Sequence, residues 1–210
     1  IQRGDPSGYR SSSQIATDMR LHHLINHLLC QGIAASRYFL SRMEDEDSKS
    51  KSARDFLRDP RVRSLSERLL KMDEIHSKVG AVRRMVRERI KRDSESRIIV
   101  FANYRDTVEA LEKALGGLEG VKAIQFIGQS SRSGSGGLTP KQQISRLEEF
   151  RSGDANVLVA TSVGEEGLDI PSADLVVFYE PVSSEIRTIQ RRGRTGSCLL
   201  YTSDAADEVV

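Results

Sequence analysis

Apolar residues recur at helical spacing in the first part of the chain and change to short continuous runs after Arg97. Between residues 15 and 43 the apolar positions repeat every three or four residues, which predicts two helices divided by Gly32. A similar stripe from Val62 to Lys91 predicts further helices, with a break between Lys71 and His76. The first part of the chain is therefore predicted to be α-helical.

After Arg97, short apolar runs alternate with amphipathic stretches. The runs "RIIVFA", "VKAIQFI", "NVLVA" and "ADLVVFY" have the length and β-branched content of strands buried on both faces. One amphipathic stretch begins with Thr139, Pro140 and Gln142, which form a capping box with proline at the first helical position. A further helix is predicted after Ser183. This alternation predicts an α/β fold in which a parallel sheet is flanked by helices.

The predicted elements also suggest how the chain is organised. Glycine and serine over residues 1–14 predict a disordered linker, and the helical region follows over residues 15–70. Within it, the charged stretch Glu44–Ser52 is expected to be a mobile loop. The α/β domain is expected over residues 71–197. Because the chain begins with Ile1 and shows no signal-peptide pattern, we expect it to be a piece of a longer protein.

Composition narrows the class of protein. A formal charge of +2 excludes a uniformly basic nucleic-acid coat but not a local basic face, and arginines cluster at Arg191, Arg192 and Arg194. Cys30 and Cys198 lie far apart without metal-ligand spacing, which is typical of a reducing intracellular compartment. No apolar run approaches the roughly 20 residues needed to cross a bilayer, so we expect no membrane partner.

Four loops are predicted at the carboxyl ends of parallel strands, after Ala102, Ile127, Ala160 and Tyr179, where α/β sheets bind ligands. Small hydroxyls and backbone N–H groups suit phosphate oxygens, arginine binds phosphate through its planar guanidinium, and a carboxylate suits a ribose hydroxyl. This edge is therefore predicted to bind a nucleotide and a phosphodiester backbone together. The residues that these four loops offer are Asn103, Tyr104, Arg105, Gly128, Gln129, Ser130, Thr161, Ser162, Gly164, Glu165, Gly167, Asp169, Gln190, Arg191, Arg192, Gly193 and Arg194.

The stretch "VLVATSVGEEGLDIPSADLVVFYEPVSSEIRTIQRRGRTG" resembles motifs V and VI of superfamily 2 helicases, and "IIVFANYRDTVEAL" resembles their motif IV. The similarity covers residues 71–196 and is to the group formed by archaeal Hef and the Fanconi anaemia complementation group M translocases. The resemblance implies a second RecA-like motor domain, preceded by part of the helical insertion that this group places between its two motor domains. The similarity stops at Cys198, and residues 198–210 are expected to be a non-native tail.

The resemblance also implies roles for individual residues. Arg194 would be an arginine finger that reaches the γ-phosphate of ATP bound on the other motor domain, and Gln190 and Arg191 would help to form that catalytic site. Gly167 and Asp169 would border the nucleotide, with Asp169 near the ribose. The nucleic-acid backbone would contact Asn103, Gly128, Gln129, Thr161 and Ser162.

The sequence G-x-x-x-x-G-K followed by serine or threonine, which cradles phosphates, does not occur in this chain. The site for ATP and Mg²⁺ is therefore expected on a first motor domain outside it, and the chain alone is expected not to hydrolyse ATP. The resemblance implies that the partners are forked or branched DNA under repair, that first domain, and a nuclease domain beyond Gly196 if the protein follows Hef. It would act in the cytoplasm of an archaeon or the nucleus of a eukaryote.

Three other functions stay open at this point. The chain could belong to an RNA-directed superfamily 2 helicase of the RNA-sensor or Dicer type. It could also be a nucleic-acid-binding scaffold without motor activity. Finally, a flavodoxin-like domain that binds a small nucleotide would share the alternation of strands and helices.

Overall fold

The computed structural model describes residues 6–47, 50–128, 137–161, 172–180 and 198–201. The chain divides between His76 and Ser77 into two units, which we call the helical unit and the α/β unit. No helix in the described ranges is long and apolar enough to cross a bilayer.

The helical unit consists of α1 (Pro6–Asn26), a π-helical turn (His27–Gln31), α2 (Ile33–Asp47), α3 (Lys51–Arg58) and α4 (Pro60–Leu70). Gly32 separates α1 and its π-helical turn from α2, as predicted, and its φ of 106° lies in the region that favours glycine. The helices share one apolar cluster, whose buried members are Leu24, Ile33, Phe39, Leu40, Met43, Phe56, Val62 and Leu69.

Helix α1 begins at Pro6, whereas the sequence predicted a disordered linker over residues 1–14. Residues 6–14 carry no apolar stripe, and Ser13 Oγ instead donates to Asp55 Oδ2 of α3 at 3.5 Å. Further along α1, the Arg20 guanidinium donates to Ser52 Oγ, also of α3, at 2.9 Å. Apolar periodicity does not report contacts of this kind.

The predicted mobile loop over Glu44–Ser52 is also shorter in the structure. Helix α2 continues to Asp47 and α3 begins at Lys51, with Ser50 as its N-cap. The Ser50 side chain accepts a hydrogen bond from the backbone N–H of Ala53 at 3.4 Å. A serine followed by a helix is a typical N-cap pattern, so this start signal was present in the sequence.

The segment between α4 and α5 confirms the predicted break but belongs to the helical unit, because Glu74 holds it against the start of α2. The Glu74 carboxylate accepts hydrogen bonds from the backbone N–H of Ile33 at 3.2 Å and of Ala34 at 2.8 Å. A second contact comes from Arg37, whose Nη2 donates to the carbonyl of Met72 in this segment and whose Nε donates to the carbonyl of Leu69 at the end of α4, at 2.8 Å. These bonds explain why the two units divide after residue 76 rather than after residue 70.

The α/β unit confirms the predicted parallel sheet flanked by helices. Five strands lie within the described residues of this unit, and these are parallel and follow the order β2-β3-β1-β4-β5. Its elements are α5 (Ser77–Arg92), β1 (Ile98–Ala102), α6 (Arg105–Gly116), β2 (Ala123–Phe126), α7 (Pro140–Ser152), β3 (Val157–Thr161), β4 (Leu175–Phe178) and β5 (Cys198–Tyr201).

Helices cover both faces of this sheet, so successive strand residues enter different clusters. Ile98 and Val100 face a cluster that includes the apolar sides of α5 and α6. Ile99 and Phe101 face a second cluster, which includes Phe150 of α7. Because both faces are covered, every residue of β1, β3 and β4 is buried, and this explains why the strands appear in the sequence as continuous apolar runs.

The ends of α7 follow the predicted signals. Thr139 Oγ1 accepts a hydrogen bond from the Gln142 N–H at 3.3 Å, and the Gln142 side chain accepts one from the Thr139 N–H at 2.8 Å. Gly153 ends the helix with a φ of 87°.

The helix predicted after Ser183 lies outside the described residues. Strand β5 falls within the stretch predicted to be a non-native tail, where its short apolar sequence pairs in register with β4.

Candidate functional site

The carboxyl ends of the four predicted strands meet at one edge of the sheet. Ala102, the last residue of β1, lies opposite Thr161, the last residue of β3, and Phe101 lies opposite Phe178 of β4. Strand β2 pairs with the other side of β3 and ends at Phe126. Because neighbouring strands are about 4.8 Å apart, the residues that follow these ends form one continuous edge, which we call the rim.

Asn103 lies at the centre of the rim. Its backbone N–H donates to Glu180 Oε2 at 3.0 Å. Pairing between β1 and the chain after β4 continues beyond the strand itself, because the Tyr179 N–H donates to the carbonyl of Phe101 at 2.8 Å. The Asn103 side chain is exposed at this position. The loop after β1 is therefore fixed by its backbone and presents its amide side chain outward.

The chain after β2 is held at two successive carbonyl groups. Arg105 Nη2, at the start of α6, donates to the carbonyl of Gly128 at 3.1 Å. Gln143 Nε2, from α7, donates to the carbonyl of Ile127 at 2.9 Å, and the Gln143 residue is buried. Gly128 thus lies at the rim, and hydrogen bonds hold both its own carbonyl group and that of Ile127. The sequence placed Arg105 in the loop after β1, within the stretch that resembles motif IV, but it did not predict this contact, and it assigned no role to Gln143.

Thr161 occupies the end of β3 between the chain segments that follow β1 and β2. Its residue is only 5% exposed, whereas Asn103 is exposed. Among the predicted contact residues that the structure describes, Asn103 is therefore the one that presents its side chain most openly.

The structure thus brings Asn103, Gly128 and Thr161 together at one edge, as the prediction of parallel strands requires. The remaining predicted site residues lie outside the described ranges, and their roles stay predictions. They are Gln129, Ser162, Gly167, Asp169, Gln190, Arg191 and Arg194.

A buried cation also lies near the rim, and sequence analysis did not identify it. Lys78, in the first turn of α5, is 7% exposed, and its Nζ lies 5.9 Å from the centre of the Tyr179 ring. Tyr179 is fully buried. A cation at this distance from an aromatic face is attracted by the ring quadrupole. The contact therefore fixes the start of α5 to the chain that leaves β4.

The chemistry of the described rim suits phosphate oxygens rather than a metal ion. The Asn103 side chain there is exposed, and its amide N–H can donate a hydrogen bond to a phosphate oxygen. Among the described residues, no group of three histidine, cysteine, aspartate or glutamate side chains is placed to hold a metal. The described part of the site therefore lacks a ligand set for Mg²⁺.

Two family models match this chain and together cover most of it. The "Helicase conserved C-terminal domain" matches residues 77–198, which is the α/β unit up to the start of β5. The "Putative ATP-dependent RNA helicase, helical bundle" matches residues 7–76, which corresponds to the helical unit.

Relatives and a solved structure agree with these matches. A putative ATP-dependent RNA helicase of Methanocaldococcus jannaschii is 43% identical over 176 residues, which is 84% of this chain and 22% of that protein. An ATP-dependent DNA helicase, mph1, of Neurospora crassa is 50% identical over 103 residues, or 49% of this chain and 9% of that protein. The crystal structure of the Pyrococcus furiosus Hef helicase domain superposes with a TM-score of 0.61 at 37% identity, covering 96% of this chain and 43% of that one.

Proposed function

The chain belongs to the helicase family defined by this conserved C-terminal domain, and from that premise we propose that it is the second motor domain of an ATP-dependent DNA helicase or translocase acting on forked or branched DNA. One observation carries the proposal. Asn103, Gly128 and Thr161 follow or end three neighbouring parallel strands, so groups suited to phosphate lie side by side at one edge.

In this proposal the rim holds the sugar-phosphate backbone of DNA. Asn103 would donate through its exposed amide, and Gly128 would let the backbone approach closely because it has no side chain. Gln129, Thr161 and Ser162 would extend the same surface. Contacts to the backbone position DNA without reading its sequence, which suits a protein that moves along a strand.

ATP hydrolysis would supply the free energy for movement, on a site shared with a first motor domain. This chain spans 22% or less of the two curated relatives described above, so that partner domain is part of the proposal. Arg194, Gln190 and Arg191 would complete the phosphate site from this side, and Gly167 and Asp169 would border the nucleotide. A guanidinium at the transferring phosphate stabilises the charge of the transition state.

An RNA-directed helicase is the second candidate, because the Methanocaldococcus relative and the helical-bundle family are both named as RNA helicases. The Neurospora relative, mph1, is named as a DNA helicase, which favours DNA. Stimulation of ATP hydrolysis by forked DNA and by duplex RNA, measured on the parent protein, separates the two. Stronger stimulation by RNA would replace the first candidate with the second.

Arg194→Ala in the parent protein tests the motor assignment itself. We expect nucleic-acid-stimulated ATP hydrolysis to fall by about 10³- to 10⁵-fold, the range typical of an arginine finger, while DNA affinity changes little. Lys113→Ala, which removes an exposed cation from α6, is the matched control and should leave hydrolysis unchanged. Normal hydrolysis by the Arg194→Ala protein would refute the proposal.

A further inference from the structure

Helix α5 carries an excess of positive charge that the rest of the chain does not share. Its sixteen residues, SKVGAVRRMVRERIKR, include seven lysines and arginines and one acidic residue, Glu88. The helix therefore has a net charge of +6, whereas the whole chain has +2, so all other residues together carry a net charge of −4. A charge this concentrated indicates a local partner of opposite sign.

Several of the charges of α5 lie on the side that does not pack against the sheet, whereas Lys78 is buried. Its buried residues include Val79, Val82, Val86 and Ile90, which belong to the apolar cluster beneath the helix. Arg84, Arg87 and Lys91 are exposed and repeat at the i, i+3, i+7 spacing of one helix face. We call these three residues the basic stripe.

Interactions inside the described chain do not account for the basic stripe. Cations stabilise the last turn of a helix, which explains Lys91, but the effect is confined to that turn and does not reach Arg84 or Arg87. Arg89, beside the stripe, lies within 3.9 Å of Asp174. No residue of the stripe forms an ion pair with any residue that the structure describes. Moreover, Arg87 and Lys91 are like charges four residues apart, which destabilises a helix.

The basic stripe occupies a different surface from the rim. The first turn of α5 contacts the carboxyl end of β4 through Lys78 and Tyr179, and its last turn contacts the opposite end through Arg89 and Asp174. The helix therefore runs antiparallel to β4 along one face of the sheet. Since an α-helix rises 1.5 Å per residue, Arg84 and Lys91 are about 10 Å apart along this face. A DNA strand places roughly three phosphates within that distance along its axis.

We propose that the basic stripe is a second nucleic-acid site. It binds the backbone of a duplex arm, while a strand of the same DNA molecule lies on the rim. The inference rests on the proposed function. Helix α5 contains no aromatic residue, and proteins that bind single strands without sequence preference stack the bases on aromatic side chains. The stripe offers charge without stacking surfaces, which suits the backbone of paired DNA.

The test is a comparison of two triple variants of the full chain that remove the same amount of charge. The first is Arg84→Gln with Arg87→Gln and Lys91→Gln, which removes the basic stripe. The second combines Lys113→Gln, Lys141→Gln and Arg151→Gln, which neutralises exposed cations on α6 and α7. Glutamine is a good helix former, so both variants should fold, and circular dichroism checks this. Affinity for a labelled duplex and a labelled single strand is measured by anisotropy at several salt concentrations.

We expect the stripe variant to bind duplex more weakly, and the slope of log K against log salt to become shallower by about 0.9 for each phosphate that the protein no longer neutralises. Its single-strand affinity and the duplex affinity of the control should change much less. Equal reductions in the two variants would overturn the inference, as would a stripe variant that binds duplex normally or an unaltered chain that does not bind duplex. The proposed function fails separately, if Arg194→Ala leaves hydrolysis in the parent protein intact.

Discussion

The two units of this chain are stabilised in different ways. In the α/β unit the central strands are buried on both faces. Among the described residues of this unit, one large apolar residue is exposed, namely Ile144 at 53%. In the helical unit Ile15, Leu29 and Ile75 are 60%, 70% and 74% exposed. Apolar burial is therefore more complete in the α/β unit, and the helical unit combines its apolar cluster with specific polar contacts such as those of Glu74.

Phe178→Ala should give the largest effect, because it tests how far the α/β unit depends on burial. Phe178 is 1% exposed, and its ring stacks on that of Phe101 with the centroids 5.4 Å apart. Truncating a buried phenylalanine leaves a cavity, so we expect the free energy of unfolding of this unit to fall by about 3–5 kcal/mol. Urea denaturation measures the change. Ile144→Ala is the exposed control and should stay within about 0.5 kcal/mol of the unaltered protein. A similar destabilisation in both variants would contradict the comparison.

Glu74→Ala should have the next largest effect and tests the polar contacts of the helical unit. The change leaves the backbone N–H groups of Ile33 and Ala34 without their carboxylate acceptor. Loss of a helix cap costs about 1–2 kcal/mol, so we expect amide hydrogen exchange at Ile33 and Ala34 to accelerate roughly tenfold. Glu67→Ala, at an exposed position of α4, is the matched control. Unchanged exchange at the start of α2 would show that other contacts hold this segment.

The smallest effect concerns Asp59, which caps α4. A hydrogen bond from the Arg61 side chain, followed by one from the Arg61 backbone, lowers the pKa of Asp59 to about 2. Because the pKa is lower in the folded state than in the unfolded chain, this contribution to stability is complete above about pH 4 and is lost as the pH falls towards 2. Arg61→Ala should raise the pKa of Asp59 towards 3.8, as measured by NMR titration of its carboxyl carbon. Arg63→Ala is the control, and a midpoint near 3.8 in the unaltered protein would disprove the assignment.

The sequence predicted those parts of the fold that burial and local signals determine. "RIIVFA" and "ADLVVFY" are continuous apolar runs because helices cover both faces of the sheet, and Thr139 with Gln142 marks the start of α7. The first turns of α1 and all of α3 were not predicted. Their contacts include hydrogen bonds between polar side chains, such as that from Arg20 to Ser52, which leave no periodic pattern.

Of the candidate site, the sequence predicted where the residues lie but not what holds them there. Once the strands are parallel, Asn103, Gly128 and Thr161 must share an edge. The bonds that fix that edge join residues far apart in the chain. The Asn103 backbone is bound by Glu180, 77 residues later, and Gly128 by Arg105, 23 residues earlier. Such pairs depend on the three-dimensional fold, and a single sequence carries no local signal for them.

The central position of β1 has a consequence for how the protein is made. Both neighbours of β1, the strands β3 and β4, come later in the chain, so β1 leaves the ribosome before either is available. At a synthesis rate of about 5–20 residues per second, Glu180 follows Asn103 by roughly 4–15 seconds. Throughout that interval the nascent chain carries an apolar strand with two unpaired edges. Aggregation during translation should therefore peak after the helical unit has been made and end when Phe178 emerges.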